Sequence, residues 1–287
     1  MVAAPAAVYV VVLGGAPLAG LLAVVSAIGA WELFRIARAS GLAPLDDVGI
    51  ALAGLIPLAV HARLLGMQFP ALTIAAVIVV ATLGLTIWRR GIDKKPFGAA
   101  ATTIFGAVYV GGMLSFGYAL RYHPYAFADA ELKWGRGMTI ASGALLLMLP
   151  LLVTWASDIG GYTVGRLVGR HKLMVSVSPG KTVEGAVGGL VLGVVVAWVF
   201  GTSVLRPSAQ LGFKWYPWGL ILFGVVVSVA AQVGDLAESL LKREAGVKDS
   251  SGIIPGTGGV LDRLDSLLFV LPVSYLLTDW LLTWAPR

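Results

Sequence analysis

Nine apolar runs constrain this chain more than any other feature of its sequence. They lie near residues 2–13, 16–38, 48–66, 70–88, 98–120, 138–157, 183–204, 217–241 and 260–284. A membrane-spanning helix needs about 20 mainly apolar residues. The first run is short and is followed by Gly14, Gly15 and Pro17, which favour a turn. The pattern therefore predicts an all-α, polytopic integral membrane bundle of about nine transmembrane helices, or about eight if the first run does not span.

The composition agrees with lipid as the main solvent. Hydrophobic residues make up 58% of the 287 residues, charged residues only 13%, and the mean hydropathy is +0.88. Soluble domains carry about 25% charged residues. Cysteine is absent, which excludes disulfides and thiolate metal sites. We attribute the net charge of +6 to loops that face anionic lipids, and not to a nucleic-acid partner.

Loop charge predicts the orientation of the chain in the membrane. Alternate loops gather 14 of the 21 basic residues on one side, which the positive-inside rule assigns to the cytoplasm. Eight of the 15 acidic residues lie on or near two loops of that side, at 158–182 and 242–262. We therefore expect residues 1–137 to form a lipid-facing scaffold and residues 138–287 to form the catalytic region.

The segment from Gly234 to Ser266 carries the strongest chemical signal. Asp235, Glu238 and Lys242 recur at helical spacing and share one face of a predicted helix. Ionisable residues at the end of a membrane helix are costly and usually face a polar cavity. The alternative is structural: an ion pair of Glu238 with Lys242, or of Asp235 with a base from another loop.

A second acidic pair follows the glycine-rich segment 255–259. Asp262 and Asp265 are expected to open the last helix, so that two helices present carboxylates around one loop. Mg²⁺ prefers carboxylates together with substrate phosphates. Glycines allow backbone N–H groups to approach phosphate oxygens. Lys242, Arg243 and Arg263 supply positive charge, so the segment predicts phosphoryl or nucleotidyl transfer.

The upstream segment 155–184 offers further candidates. Asp158 ends an apolar run, and glycines then recur every four residues at 161, 165 and 169, a spacing typical of close helix packing. Pro179 and Gly180 favour a turn. Ser178, Lys181 and Thr182 are then placed to hold phosphate or ribose at a helix start. The alternative is a capped helix entry with Lys181 as an interfacial anchor, and Glu184 fits either interpretation.

These motifs together resemble the phosphatidate cytidylyltransferase family. The resemblance is specific from about Trp155 to Leu271, and upstream of it only the hydropathy and Trp31-Glu32-Leu33 agree. The residues that carry it are Asp158, Gly165-Arg166, Ser178-Pro179, Lys181-Thr182, Glu184-Gly185, Ser239, Lys242-Arg243, Lys248-Asp249, Pro255 to Gly259, Asp262-Arg263-Leu264 and Asp265.

The resemblance implies an enzyme of phospholipid biosynthesis that makes CDP-diacylglycerol and pyrophosphate from CTP and phosphatidate, with Mg²⁺. It implies metal binding by Asp235, Asp249, Asp262 and Asp265. It implies nucleotide binding by Asp158, Ser178, Lys181, Thr182, Glu184 and Arg263. It also implies a multi-pass protein of the inner (plasma) membrane, with its active site facing the cytoplasm and lipids around it. A homodimer is left open.

One departure and several alternatives accompany this resemblance. The family pattern has histidine between the glycines of the loop, whereas this chain has Thr257. A CTP-dependent enzyme for an isoprenoid lipid phosphate, a lipid kinase, a transporter with intramembrane acids and a non-catalytic lipid-binding relative stay open as alternatives. Glu32 stands three residues before Arg35, which predicts a same-face pair near the cytoplasmic interface.

Overall fold

Helices make up most of the structure. The computed structural model describes residues 3–123, 131–134, 138–205, 217–254, 256, 258–278 and 280. The helices are α1 (Ala3–Leu13), α2 (Gly15–Ala39), α3 (Asp46–Leu64), α4 (Ala71–Arg89), α5 (Pro96–Gly106), α6 (Met113–Arg121), α7 (Ser142–Val168), α8 (Val183–Phe200), α9 (Pro217–Glu244) and α10 (Asp265–Leu277). A π-helical segment, Ala107–Gly112, joins α5 to α6, another, Gly201–Leu205, ends α8, and a 3₁₀ turn, Leu261–Arg263, precedes α10.

The predicted polytopic helical bundle is confirmed. Among the described residues, seven helices are long and apolar enough to cross a membrane, with α5, its π-helical segment and α6 counted as one. Each of the nine predicted apolar runs contains a helix. However, α1 and α10 have only 11 and 13 residues, below the length that spans a bilayer. The count of nine spans therefore stays a prediction.

The chain folds into two compact units built from interleaved segments. The first comprises residues 1–14, 119–237 and 265–287, and the second comprises residues 15–118 and 238–264. Helix α9 contributes its residues up to Ala237 to the first unit and its last two turns to the second. The expected functional division at residue 137 is a different partition and stays a prediction.

In the first unit, glycines bring α7 and α8 into close contact. A Cβ atom at Gly185 would stand 2.8 Å from the carbonyl oxygen of Gly161 and 3.2 Å from the Cα of Gly165. The prediction that these glycines serve helix packing is confirmed. Helix α7 continues to Val168, so the loop expected to begin at residue 158 begins eleven residues later. The apolar run ends earlier than the helix because polar residues after it face a pocket and not lipid.

A short hairpin connects α7 to α8. Its strands β3 (Lys172–Met174) and β4 (Ser178–Thr182) are antiparallel, and residues 175–177 form the turn. The turn expected at Pro179 and Gly180 is therefore wrong. Proline is compatible with a strand at the edge of a sheet, where its missing N–H leaves no ladder bond unmade. A second hairpin pairs β1 (Glu131–Trp134) with β2 (Met138–Ala141).

In the second unit, α2 is the central helix and packs against α3 and the π-helical segment. The connections at 40–45 and 90–95 lie at the same end of this unit. The Arg90 guanidinium joins them by donating hydrogen bonds to the carbonyls of Ala43 and Pro44. Both connections were assigned to the same side of the membrane. The segment 245–264 returns to α2 through contacts described below.

Candidate active site

A polar pocket of about 560 Å³ lies in the first unit, between α7, the β3–β4 hairpin, the start of α8 and α9. It is lined by Asp158, Lys181 and Asp235, three of the predicted site residues. Ser178 and Thr182 line it as well. The remaining lining residues are Ser157, Gly161, Tyr162, Gly165, Arg166, Leu173, Gly180, Gly185, Ala186 and Gln232. The structure thus gathers four of the six nucleotide-binding candidates, Asp158, Ser178, Lys181 and Thr182, around one cavity.

An ion pair defines the charge of this pocket. Lys181 Nζ lies 2.6 Å from Asp235 Oδ2, and the two side chains are 28% and 35% exposed. Asp158 is close enough to both for its carboxylate to be repelled by Asp235 and attracted by Lys181. The structural alternative for Asp235, a pair with a base from another loop, is therefore present. Both side chains are partly exposed, whereas the Lys181 Nζ atom itself is buried, so the ammonium group must move to meet a ligand.

The wall of the pocket opposite this pair is built mainly of backbone. Thr182 caps α8, and its Oγ1 accepts a hydrogen bond from Gly185 N at 3.1 Å. A Cβ atom at Gly165 would lie 3.0 Å from Thr182 Oγ1, so the α7 backbone approaches this cap closely. The Val183 N–H, bonded to the carbonyl of His171, and the Gly185 N–H, bonded to Thr182, are already satisfied, so the helix start attracts an anion mainly through its dipole. The pocket therefore offers the side chains of Lys181 and Arg166 and the positive end of α8 to a phosphate chain.

Glu184 does not line this pocket. Its carboxylate accepts hydrogen bonds from Arg170 N and His171 N, and His171 Nδ1 lies 2.6 Å from Glu184 Oε1. The Glu184 side chain thereby links the residues after α7 to the start of α8. It also borders an apolar groove on those two helices. The proposed nucleotide contact of Glu184 is untested, but its observed contacts are structural.

The second unit contains a separate charged cluster around Lys242. Its Nζ lies 2.7 Å from Asp262 Oδ1 and 3.1 Å from Glu238 Oε1, and Glu238 is fully buried. The predicted pair along the helix between Glu238 and Lys242 is confirmed. Asp262 stands in the 3₁₀ turn and not at the start of α10 as expected, since α10 begins at Asp265.

The loop before α10 holds the Asp262 carboxylate in place. Asp262 Oδ2 accepts hydrogen bonds from Gly259 N at 2.7 Å, Ser250 Oγ at 2.9 Å and Ser250 N at 3.1 Å. Burial alone would raise the pKa of Asp262. The hydrogen bonds from Lys242 and Gly259 outweigh burial and hold the pKa of that carboxyl well below its usual range. Asp262 is therefore ionised at neutral pH.

The remaining candidates fall into three environments. Asp265 begins α10. A Cβ atom at Gly234 would stand 2.7 Å from the Asp265 carbonyl oxygen, so the Asp265 backbone adjoins the turn of α9 that carries Asp235. Arg243, Asp249 and Arg263 are exposed. Thr257 lies outside the described residues.

Comparisons with known proteins identify the family of this chain. A sequence profile described as the cytidylyltransferase family matches residues 1–281. The chain belongs to the cytidylyltransferase family. One similar protein is the phosphatidate cytidylyltransferase of Synechocystis, which is 31% identical over 280 residues. The alignment covers 92% of this chain and 89% of that protein.

Two further relatives match about half of this chain at higher identity. The phosphatidate cytidylyltransferase of Staphylococcus saprophyticus is 44% identical over 139 residues, 48% of this chain and 51% of that protein. That of Bacillus subtilis is 43% identical over 135 residues, 47% of this chain and 48% of that protein. The match thus spans about half the length of these two relatives.

The donor set of the polar pocket fits Mg²⁺. In the cytidylyltransferase chain described here, Asp158 and Asp235 both face the cavity. Across the described ranges, no three His, Cys, Asp or Glu side chains are gathered as a complete metal site. Mg²⁺ commonly takes only one or two protein carboxylates and completes its shell with phosphate oxygens and water. Two carboxylates beside a phosphate-sized cavity therefore suit it.

The sequence analysis missed one residue of this cytidylyltransferase fold, Glu32 of α2. The predicted partner was Arg35, but the Glu32 carboxylate accepts hydrogen bonds from Ser250, Ser251, Val260 and Leu261. Its side chain is fully buried. The signal that could have found it is an ionisable residue within an apolar helix, which indicates function by default. Its partners, more than 200 positions away, could not be read from local spacing.

Proposed function

We propose that this protein is a phosphatidate cytidylyltransferase, which joins CTP and phosphatidate to give CDP-diacylglycerol and pyrophosphate. The observation that carries the proposal is the polar pocket, in which Lys181 pairs with Asp235 at 2.6 Å beside Asp158 and the N-terminus of α8. Family membership and the names of the relatives support the same reaction. The pocket volume, about 560 Å³, suits a small polar ligand.

The reaction needs little proton chemistry from the protein. A phosphate oxygen of phosphatidate attacks the α-phosphorus of CTP, a new P–O–P bond forms, and the bond from the α-phosphorus to pyrophosphate breaks. The nucleophile is already an anion, so no general base is required, and catalysis depends on positioning and charge stabilisation. Thr257 in place of histidine therefore does not exclude the activity.

Lys181 is the residue that we expect to contact the phosphates of CTP. Its ammonium group is held at the cavity by Asp235, so it is pre-oriented and needs only a small movement to reach a phosphate oxygen. Arg166 lines the same cavity and adds a second cation. Ser178 and Thr182 add hydroxyl groups near the start of α8.

We propose Asp235 and Asp158 as the residues of this pocket that hold Mg²⁺. When bound, Mg²⁺ would supply positive charge to the transferring phosphates and to the leaving pyrophosphate. The resemblance adds Asp249, Asp262 and Asp265 as ligands and Lys242, Arg243 and Arg263 as further cations. Asp235 and Asp158 also orient Lys181 through their negative charge, whether or not the metal is present.

We further propose that the protein lies in the inner (plasma) membrane with this pocket facing the cytoplasm. The support is the distribution of basic residues, 14 of 21 on the side of the 158–182 and 242–262 segments. CTP would reach the pocket from the cytoplasm, and phosphatidate would enter from the surrounding bilayer. The apolar surfaces of the spanning helices suit that lipid environment.

The test is release of pyrophosphate from CTP by the purified full chain in detergent. We expect release that requires both phosphatidate and Mg²⁺ and stops with EDTA. Reactions without lipid, and reactions with a polyprenyl phosphate in place of phosphatidate, serve as matched controls. Release that prefers the polyprenyl phosphate would reassign the lipid substrate. Folded protein that releases no pyrophosphate with either lipid would refute the proposed reaction.

A further inference from the structure

The Glu32 carboxylate is a buried acid of the second unit that accepts hydrogen bonds at both of its oxygens. Its Oε1 accepts from the Ser251 hydroxyl at 2.5 Å and from Val260 N at 3.0 Å. Its Oε2 accepts from the Ser250 hydroxyl at 3.2 Å and from Leu261 N at 2.6 Å. Oε1 therefore receives a hydroxyl and a backbone N–H, whereas Oε2 receives a backbone N–H and shares the single Ser250 hydroxyl proton with Asp262 Oδ2. The side chain is fully buried.

These contacts hold two segments of one loop. Ser250 and Ser251 lie within the loop that follows α9, which ends at Glu244, whereas Val260 and Leu261 lie where that loop meets the 3₁₀ turn. A single side chain of α2 thus closes the loop on itself. Gly259 makes the approach possible, because a Cβ atom there would overlap the Glu32 carboxylate and Ser250 Oγ.

The same loop also fixes Asp262. Ser250 contacts both carboxylates, since its hydroxyl lies 3.2 Å from Glu32 Oε2 and 2.9 Å from Asp262 Oδ2. Gly259, packed against Glu32, donates its N–H to Asp262 Oδ2 at 2.7 Å. A displacement of the loop from Glu32 would therefore remove Ser250 and Gly259 as donors to Asp262 Oδ2 and leave Asp262 oriented by Lys242.

A purely structural role explains less well than a positioning role why residue 32 is a glutamate. All four donors to Glu32 are neutral, and a buried carboxylate without a counter-charge costs stability that an uncharged acceptor would not. Only a carboxylate offers two equivalent oxygens that accept in all four directions. We propose that Glu32 is a positioning residue that anchors the 250–261 loop and thereby orients Asp262 for nucleotidyl transfer. The inference rests on the proposed function for the role of Asp262, but the anchor itself does not.

The variant that tests the anchor is Glu32→Gln, which keeps the volume but replaces one acceptor oxygen with an NH₂ donor. Either Val260 N or Leu261 N must then lose its partner. Hydrogen exchange of the amides of residues 258–264, followed by mass spectrometry without substrate, should become at least about tenfold faster. Glu244→Gln removes the same charge from an exposed position of α9 and should leave this exchange unchanged.

Kinetics then separate positioning from folding. In Glu32→Gln we expect kcat for pyrophosphate release to fall at least about tenfold and the Mg²⁺ concentration for half-maximal rate to rise, while Glu244→Gln keeps wild-type values. Faster exchange with wild-type kcat and wild-type Mg²⁺ dependence would reduce Glu32 to a structural residue. Unchanged exchange would overturn the anchor.

Two safeguards keep the outcome interpretable. If Glu32→Gln does not fold, Ser251→Ala removes one of the four donors without touching Asp262 and should accelerate the same exchange by a smaller factor. If the wild-type protein releases no pyrophosphate, the proposed function fails. The exchange measurement then still decides whether Glu32 anchors the loop.

Discussion

Replacing Lys181 by methionine removes the cation of the polar pocket and keeps most of the side-chain volume. In the wild-type protein, Lys181 Nζ lies 2.6 Å from Asp235 Oδ2. The same ammonium group is the one that we expect to contact a phosphate of CTP. The variant therefore leaves the carboxylates of Asp158 and Asp235 in a cavity that must still accept a polyanion.

The size of the effect follows from contact distance and exposure. Unit charges about 3 Å apart interact by about 5 kcal/mol at an effective dielectric constant of about 20. Lys181 and Asp235 are 28% and 35% exposed, so solvent screens part of this energy. About half of it, roughly 2–3 kcal/mol, corresponds to a loss in kcat/KM for CTP of about 30- to 150-fold.

The assay is steady-state pyrophosphate release at varied CTP with saturating phosphatidate and Mg²⁺. Lys172→Met is the matched control, because Lys172 is exposed on the same hairpin but does not line the pocket. It makes the same change in net charge and should stay within about twofold of the wild type. A Lys181→Met enzyme that keeps kcat/KM within about threefold would refute the assignment of this lysine to the nucleotide.

Three further predictions concern packing, the last helix and pH. Gly185→Ala should lower the thermal midpoint by several degrees, since its Cβ would stand 2.8 Å from a backbone oxygen of α7. Gly84→Ala, a helical glycine with open space, should not lower it. Asp265→Asn should abolish turnover in folded, detergent-solubilised protein, and a wild-type rate would remove this carboxylate from the mechanism. Because the pKa of Asp262 is lowered by folding, its ionised form stabilises the protein above about pH 4, and this contribution is lost as the pH falls further. The difference in thermal midpoint between wild type and Asp262→Asn should therefore be constant from about pH 5 to 8 and shrink below about pH 4. A difference that disappears near neutral pH would contradict the lowered pKa of Asp262.

Much of the helical framework could be predicted because lipid imposes a local rule. Each membrane helix must be apolar over its own length, so the runs at 183–204 and 217–241 predict α8 and α9 closely. The pair between Glu238 and Lys242 was predictable for a similar reason, because helical spacing alone brings them together.

The errors arose where polar residues belong to a helix or where contacts are distant in sequence. Helix α7 extends beyond its apolar run because Asp158 and Gly165 face the pocket and not lipid. Pro179 lies in a strand because the hairpin turns earlier, at residues 175–177. The hydrogen-bond partners of Glu32 lie more than 200 residues further along the chain, and no local sequence pattern indicates such a contact.

The contact between α7 and α8 has a consequence for changing what this pocket accepts. Substitution of side chains can reshape a cavity, but the lining at Gly161, Gly165 and Gly185 is main chain. No substitution at these glycines can make the lining smaller. An added Cβ atom at Gly185 would stand 2.8 Å from the carbonyl oxygen of Gly161 and would push the two helices apart before it alters the ligand contact. Altered substrate preference, in the laboratory or in evolution, is therefore expected to arise from the hairpin and from α9, whose side chains can vary without separating those helices.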